Sequence, residues 1–407
     1  MKPRAPLRAT LSLSRVTLAS LAASLLACTA VLDVKDLELT DGKSVGGVTQ
    51  APAPGSPQGA TSTDGGALPD APAAPVTCDG VDTRTDARHC GRCGHDCLGG
   101  ACESGVCRAK EIATSLDSPF SLTVTADHVF VATNRGGTIL RVKKDGSATE
   151  TFATGQRSPW GITTGGGFVY WANNYFANDG GGIWRCPLTA SPCVAPQRIV
   201  STAHPRRPTF AGGFVYYAEE DANLVRRATP DGATVTTVAN ASKPFGIAVD
   251  AKHVYYTSAA NSFQRAPIAG GTVEDLGPAN GSSWGLAAVD DARAYYVFGF
   301  SDGTGRVLAV DKAKPATVTE YGKPESHREP LGVAVSAGWV YWTEHGTGSD
   351  GALRACPVAG CPTSGPLELA TQLSFPGDIA VDDTAVYVVS AGTFGRAAGT
   401  LHRVARP

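Results

Sequence analysis

Two short stretches concentrate acid–base and metal-binding potential in this 407-residue chain: Glu219-Glu220-Asp221 and Glu344-His345. A carboxylate beside an imidazole suits proton transfer, and clustered carboxylates suit a divalent cation, although an acidic run is ordinarily a solvated loop. Aromatic residues Trp160, Phe245 and Trp284 open three related segments, with Arg207 and Arg328 near two others. Aromatic faces combined with such polar groups suit a sugar, a peptide or another small polar ligand. Phosphate-loop and His-Glu metal motifs do not occur, so the sequence implies no cofactor and no metal. It favours recognition over turnover.

Eleven cysteines supply the second kind of chemistry. Basic residues up to Arg15 precede an apolar run, Val16 to Ala27, too short to span a bilayer and suited to an export signal over residues 1–27. Leu25-Leu26-Ala27-Cys28 resembles the lipobox of bacterial lipoproteins. That resemblance implies cleavage before Cys28, palmitate-type acylation and membrane anchoring, with Thr29 favouring the outer membrane of the cell envelope. Residues 28–77 then read as a Pro-, Ala- and Gly-rich tether that cannot bury a core. In an oxidising compartment the remaining ten cysteines read as disulfides. Six of them, Cys78, Cys90, Cys93, Cys97, Cys102 and Cys107, define a module over 78–107. Its connectivity is open, and zinc at Cys90 and Cys93 with His89 or His95 is the rival reading. The spacing CG-x-CG-x-x-C, followed by two G-x-C steps, resembles the stigma-specific cysteine-rich family, also found beside lipoprotein signals in myxobacteria. Two close pairs, Cys186 with Cys193 and Cys356 with Cys361, fall later in the chain.

What positions these residues is a repeat. Segments such as Pro244 to Tyr256 (PFGIAVDAKHVYY) occur seven times over residues 108–407, opening at Pro119, Pro159, Pro208, Pro244, Ser283, Pro330 and Pro376. Intervals of 36 to 49 residues fit four-stranded blades. Each copy carries an arginine in its third strand: Arg141, Arg185, Arg226, Arg265, Arg306, Arg354 and Arg403. So even a recurrence points to hydrogen bonding between blades rather than to a site. The last copy lacks a fourth strand, and 110–114 (KEIAT) matches the strand that is missing. The expected fold is therefore all-β: a seven-bladed propeller, closed by strand 110–114, preceded by a small disulfide-rich module.

The repeat resembles β-propellers of the YWTD, NHL and streptogramin-lyase kind, with Val340-Tyr341-Trp342-Thr343-Glu344 nearest the YWTD signature. This resemblance implies a ligand at the axial mouth, where Trp160, Glu219, Glu220, Asp221, Glu344 and His345 are the candidates. The functional expectation is an envelope lipoprotein whose propeller binds a protein or glycan without catalysis; the alternative is a streptogramin-lyase-like or hydrolase enzyme using Glu344 and His345. Nucleic acid is excluded as a partner by charge, formally −2 and −6 once Lys2, Arg4, Arg8 and Arg15 leave with the signal.

Overall fold

The computed structural model describes residues 77–258, 262–278, 285–299, 304–323, 327–393 and 396–407. The export signal, Cys28, most of the tether, Ser283 and Trp284 lie outside them. Seven four-stranded antiparallel sheets form the blades of a propeller. Blade 1 runs through Pro119–Val124, His128–Thr133, Thr138–Lys143 and Thr149–Ala153. Blades 2 to 6 follow the same meander over residues 159–201, 205–240, 244–278, 287–320 and 330–373. Blade 7 takes Pro376–Val381, Ala385–Ser390 and Gly399–Ala405 from the C-terminus, then completes itself with Lys110–Leu116. Leu401 pairs with Ala113 and His402 with Glu111, so the two ends of the ring are joined by main-chain hydrogen bonds. Closure leaves no unpaired edge at the seam.

Blade 3 corrects the repeat register read from sequence. Pro205 pairs with Glu219 and Thr209 with Tyr216, as Pro159 pairs with Asn173 and Thr163 with Tyr170 in blade 2. The opening proline is thus Pro205 and not Pro208, and Pro205-Arg206-Arg207 occupies the positions of Pro159-Trp160-Gly161.

Second strands such as Val254 to Ser258 are buried on both faces, because each blade is covered by its two neighbours. Aromatic and β-branched side chains therefore run consecutively instead of alternating with polar ones. An aspartate closes the preceding turn. Asp250 accepts hydrogen bonds from the Lys252 and His253 amides and the Tyr255 hydroxyl, and Asp290 and Asp382 repeat the arrangement with Tyr295 and Tyr387. Neighbouring blades are then latched. Arg141, Arg185 and Arg265 each donate to a carbonyl of the next blade, at Ala190, Pro230 and Lys312. Thr257 and Thr343 accept from a glycine amide of their own blade and donate to Gly285 or Gly377 of the next.

The cysteine module is built on three disulfides, Cys78–Cys93, Cys90–Cys102 and Cys97–Cys107. It rests against the propeller, where Arg108 donates to the Glu368 carbonyl at 2.6 Å and Arg403 of blade 7 donates to Leu98. Cys186–Cys193 and Cys356–Cys361 cross-link the outer hairpins of blades 2 and 6.

Leu401 is fully buried among Ile112, Leu116, Val129 and Val389, at the junction of blades 7 and 1. Leu401→Ala should lower stability by about 2–5 kcal/mol in denaturant unfolding, the range for an emptied aliphatic site. A loss below about 1 kcal/mol would show that the seam is not packed as described.

Candidate functional site

The inner strands converge at the axis, and the second residue after the opening proline is glycine in four blades: Gly161, Gly246, Gly285 and Gly332. A Cβ on Gly332 would lie 2.4 Å from the Gly377 carbonyl oxygen, and one on Gly161 would lie 2.9 Å from the Arg207 Cα. No side chain fits there without a shift. The other three blades carry Ser121, Arg207 and Asp378, and these three meet. Arg207 Nη1 donates to Asp378 Oδ2 at 2.7 Å and to Ser121 Oγ at 3.2 Å, while Ser121 Oγ donates to Asp378 at 2.6 Å. Blade 3 is thereby tied across the axis to blades 7 and 1.

Arg207 is 6% exposed, and burial pushes its guanidinium below the usual arginine value while Asp378 acts in the opposite sense. Its φ of 41° is left-handed, a conformation unusual for a residue with a side chain. Its Nε and Nη2 have no hydrogen-bond partner among the described residues.

Next to this layer lies a cavity of 540 Å³. Phe120, Trp160, Tyr175 and Phe375 supply its aromatic lining, and Asn134, Gln156 and Ser158 its neutral polar groups. Phe120 and Trp160 lie 4.2 Å apart between ring centroids, tilted by 45°. Both rings are half-buried and line the cavity. Arg206 lies 4.4 Å over Trp160 and 5.5 Å from Phe245, and Arg207 is 5.6 Å from Phe120. These cation–π contacts fix the rings from the axial side.

Trp160 and His345 both line the cavity. The His345 ring stands 5.1 Å from that of Phe375, and burial lowers its pKa below the usual histidine value. Glu344 does not join it. That carboxylate is 1% exposed and accepts hydrogen bonds from Trp342 Nε1 at 2.7 Å and the Arg328 amide, with His327 Nδ1 2.8 Å away. Burial alone would raise its pKa; the His327 contact and the other donors hold it below the carboxylate norm. In the acidic run Glu219 and Glu220 are likewise engaged, while Asp221 is exposed. Glu219 is 2% exposed with Arg226 at 3.3 Å, Glu220 pairs with Arg206 at 2.6 Å, and Asp221 lies 2.5 Å from His204. Phe120, Tyr175, Phe375, Gln156, Ser121 and Asp378 were not singled out from sequence. Arg207 was placed near the mouth, but the misread opening of blade 3 hid its place in the glycine position and with it the link to Ser121 and Asp378.

No family model matches the chain, and no curated protein matches it in sequence. Solved structures resemble it in fold. The WD40 β-propeller domain of Doa1 has a TM-score of 0.56 at 12% identity, covering 74% of this chain and 97% of that one. A streptogramin B lyase gives 0.54 at 15% identity, covering 73% and 96%, and the computationally designed Ika8 protein gives 0.52 at 13%, covering 73% and 98%. At these identities the likeness establishes a propeller and nothing further.

Asp378→Asn leaves the buried Arg207 without its counter-charge and should cost about 3–5 kcal/mol in denaturant unfolding. Restoring the glycine pattern with Ser121→Gly, Arg207→Gly and Asp378→Gly together removes both charges and relieves the left-handed φ, so the triple variant should be the more stable of the two. The reverse order would show that the trio is not a charge-balanced unit.

Proposed function

We propose that this chain is an exported bacterial lipoprotein, anchored to the cell envelope through Cys28, whose propeller mouth binds a saccharide without catalysing a reaction. The observation that carries the binding reading is the 540 Å³ cavity, with four aromatic side chains beside Asn134, Gln156 and Ser158. Ring faces complement the C–H faces of a pyranose, and the amides and hydroxyl can meet its hydroxyl groups. Turnover through Glu344 and His345 is the weaker reading. Glu344 is committed to Trp342, Arg328 and His327, which leaves His345 as the one candidate acid–base group of the pair at the cavity.

Export is supported by the five disulfides among the described residues, a pattern of oxidising compartments. In the anchored protein the tether would carry the propeller away from the membrane surface.

On an oligosaccharide array the intact protein should retain sugars. Trp160→Ala should weaken that retention at least about tenfold while thermal unfolding remains cooperative, since a stacking ring contributes on the order of 1–2 kcal/mol. Retention unchanged in Trp160→Ala would place recognition elsewhere. In cells fed labelled palmitate, the wild-type chain should take up label and Cys28→Ser should not; a labelled Cys28→Ser protein would remove the proposed anchor.

A further inference from the structure

We infer that the ligand of the mouth is an acidic saccharide whose carboxylate is engaged by Arg135 and Arg157, an inference that rests on the saccharide reading above. Among the described residues, the basic groups lining the cavity are Arg135, Arg157 and His345, and its lining holds no aspartate or glutamate. Such one-sidedness runs against the chain as a whole, where Asp and Glu outnumber Lys and Arg by 37 to 35. Because burial disfavours the imidazolium of His345, the positive charge falls to the two arginines.

Both arginines keep donors to spare. Arg135 uses Nε for Asp117, at 2.6 Å, and Arg157 Nη2 lies 3.6 Å from Asp179 while its guanidinium sits 5.7 Å over the Tyr175 ring. Asp117 and Asp179 do not line the cavity, so each guanidinium is steadied from outside it. A guanidinium has five N–H donors, and its planar fork matches a carboxylate. Arg206 and Arg207 do not compete for the ligand's charge, since both are buried and neither lines the cavity. The aromatic side chains select a flat sugar face and the arginines select its acid group, which together describe a uronic-acid-type residue.

The test is calorimetry on the intact protein with galacturonate, glucuronate and mannuronate trimers, their neutral hexose counterparts, and a triglutamate peptide. At low salt at least one uronate trimer should bind about tenfold more tightly than its neutral counterpart, the scale of one charge-assisted hydrogen-bonded pair. That advantage should shrink at 0.5 M NaCl, because exposed charge pairs are screened at about 0.5 M salt. Arg135→Gln with Arg157→Gln should abolish the preference, so that this variant binds acidic and neutral trimers equally. Equal affinity for acidic and neutral trimers, or a preference that survives the double variant, would overturn the inference. Neutral trimers bound in a Trp160-dependent way without acid preference would overturn it alone and leave the saccharide reading standing. Binding of none of the sugars, or binding of triglutamate in their place, would overturn both.

Discussion

At the axis of this propeller, neighbouring inner strands approach backbone to backbone, so closely that a single added methyl group would collide with a carbonyl oxygen. The rest of the ring depends on that approach. It sets glycine at the same place in four blades, lets the Thr257 and Thr343 hydroxyls bridge one strand to the next, and leaves side chains at only three positions around the throat. Where a side chain does occur it must find a polar partner at once, because the site is buried. Ser121, Arg207 and Asp378 supply one another with that partner.

The division between scaffold and site follows from charge pairing. Most carboxylates near the mouth are consumed: Glu219 by Arg226, Glu220 by Arg206, Glu344 by the Trp342 and Arg328 donors beside His327. Buried charges persist only when matched in this way. What remains presented to the cavity is aromatic surface, amides and two outward guanidinium groups.

Much of the fold was legible in the sequence because a seven-fold repeat samples the same physical problem seven times. The proline opening, the arginine latch and the displaced closing strand could each be read from position alone, whereas the aspartate turn closed by a tyrosine emerged only from the contacts. Blade 3 was misaligned because Pro205 and Pro208 both precede plausible strands, and only the pairing of Pro205 with Glu219 distinguishes them. The site was less legible. Glu344 and the 219–221 run looked reactive as one-dimensional text, yet partners on neighbouring strands and loops, such as Arg226 or His327, decide whether a carboxylate is free. Phe120, Trp160, Tyr175 and Phe375 converge from three blades and their loops, a proximity that no single segment encodes.

The closing strand, Lys110–Leu116, begins two residues after the module's last disulfide-linked segment ends, and the module is itself held to the ring through Arg108, Arg403 and the His95 ring, which lies 2.7 Å from the Arg406 carbonyl oxygen. These contacts define a load path. Tension applied to the chain ahead of Cys78 passes first into covalent cross-links spanning Cys78 to Cys107, which do not extend, and next into the contacts that seat the module on blades 6 and 7. The hydrogen bonds that zip the ring shut lie behind both on that path, so the cross-linked module stands between a pull on the N-terminal side and the seam of the propeller.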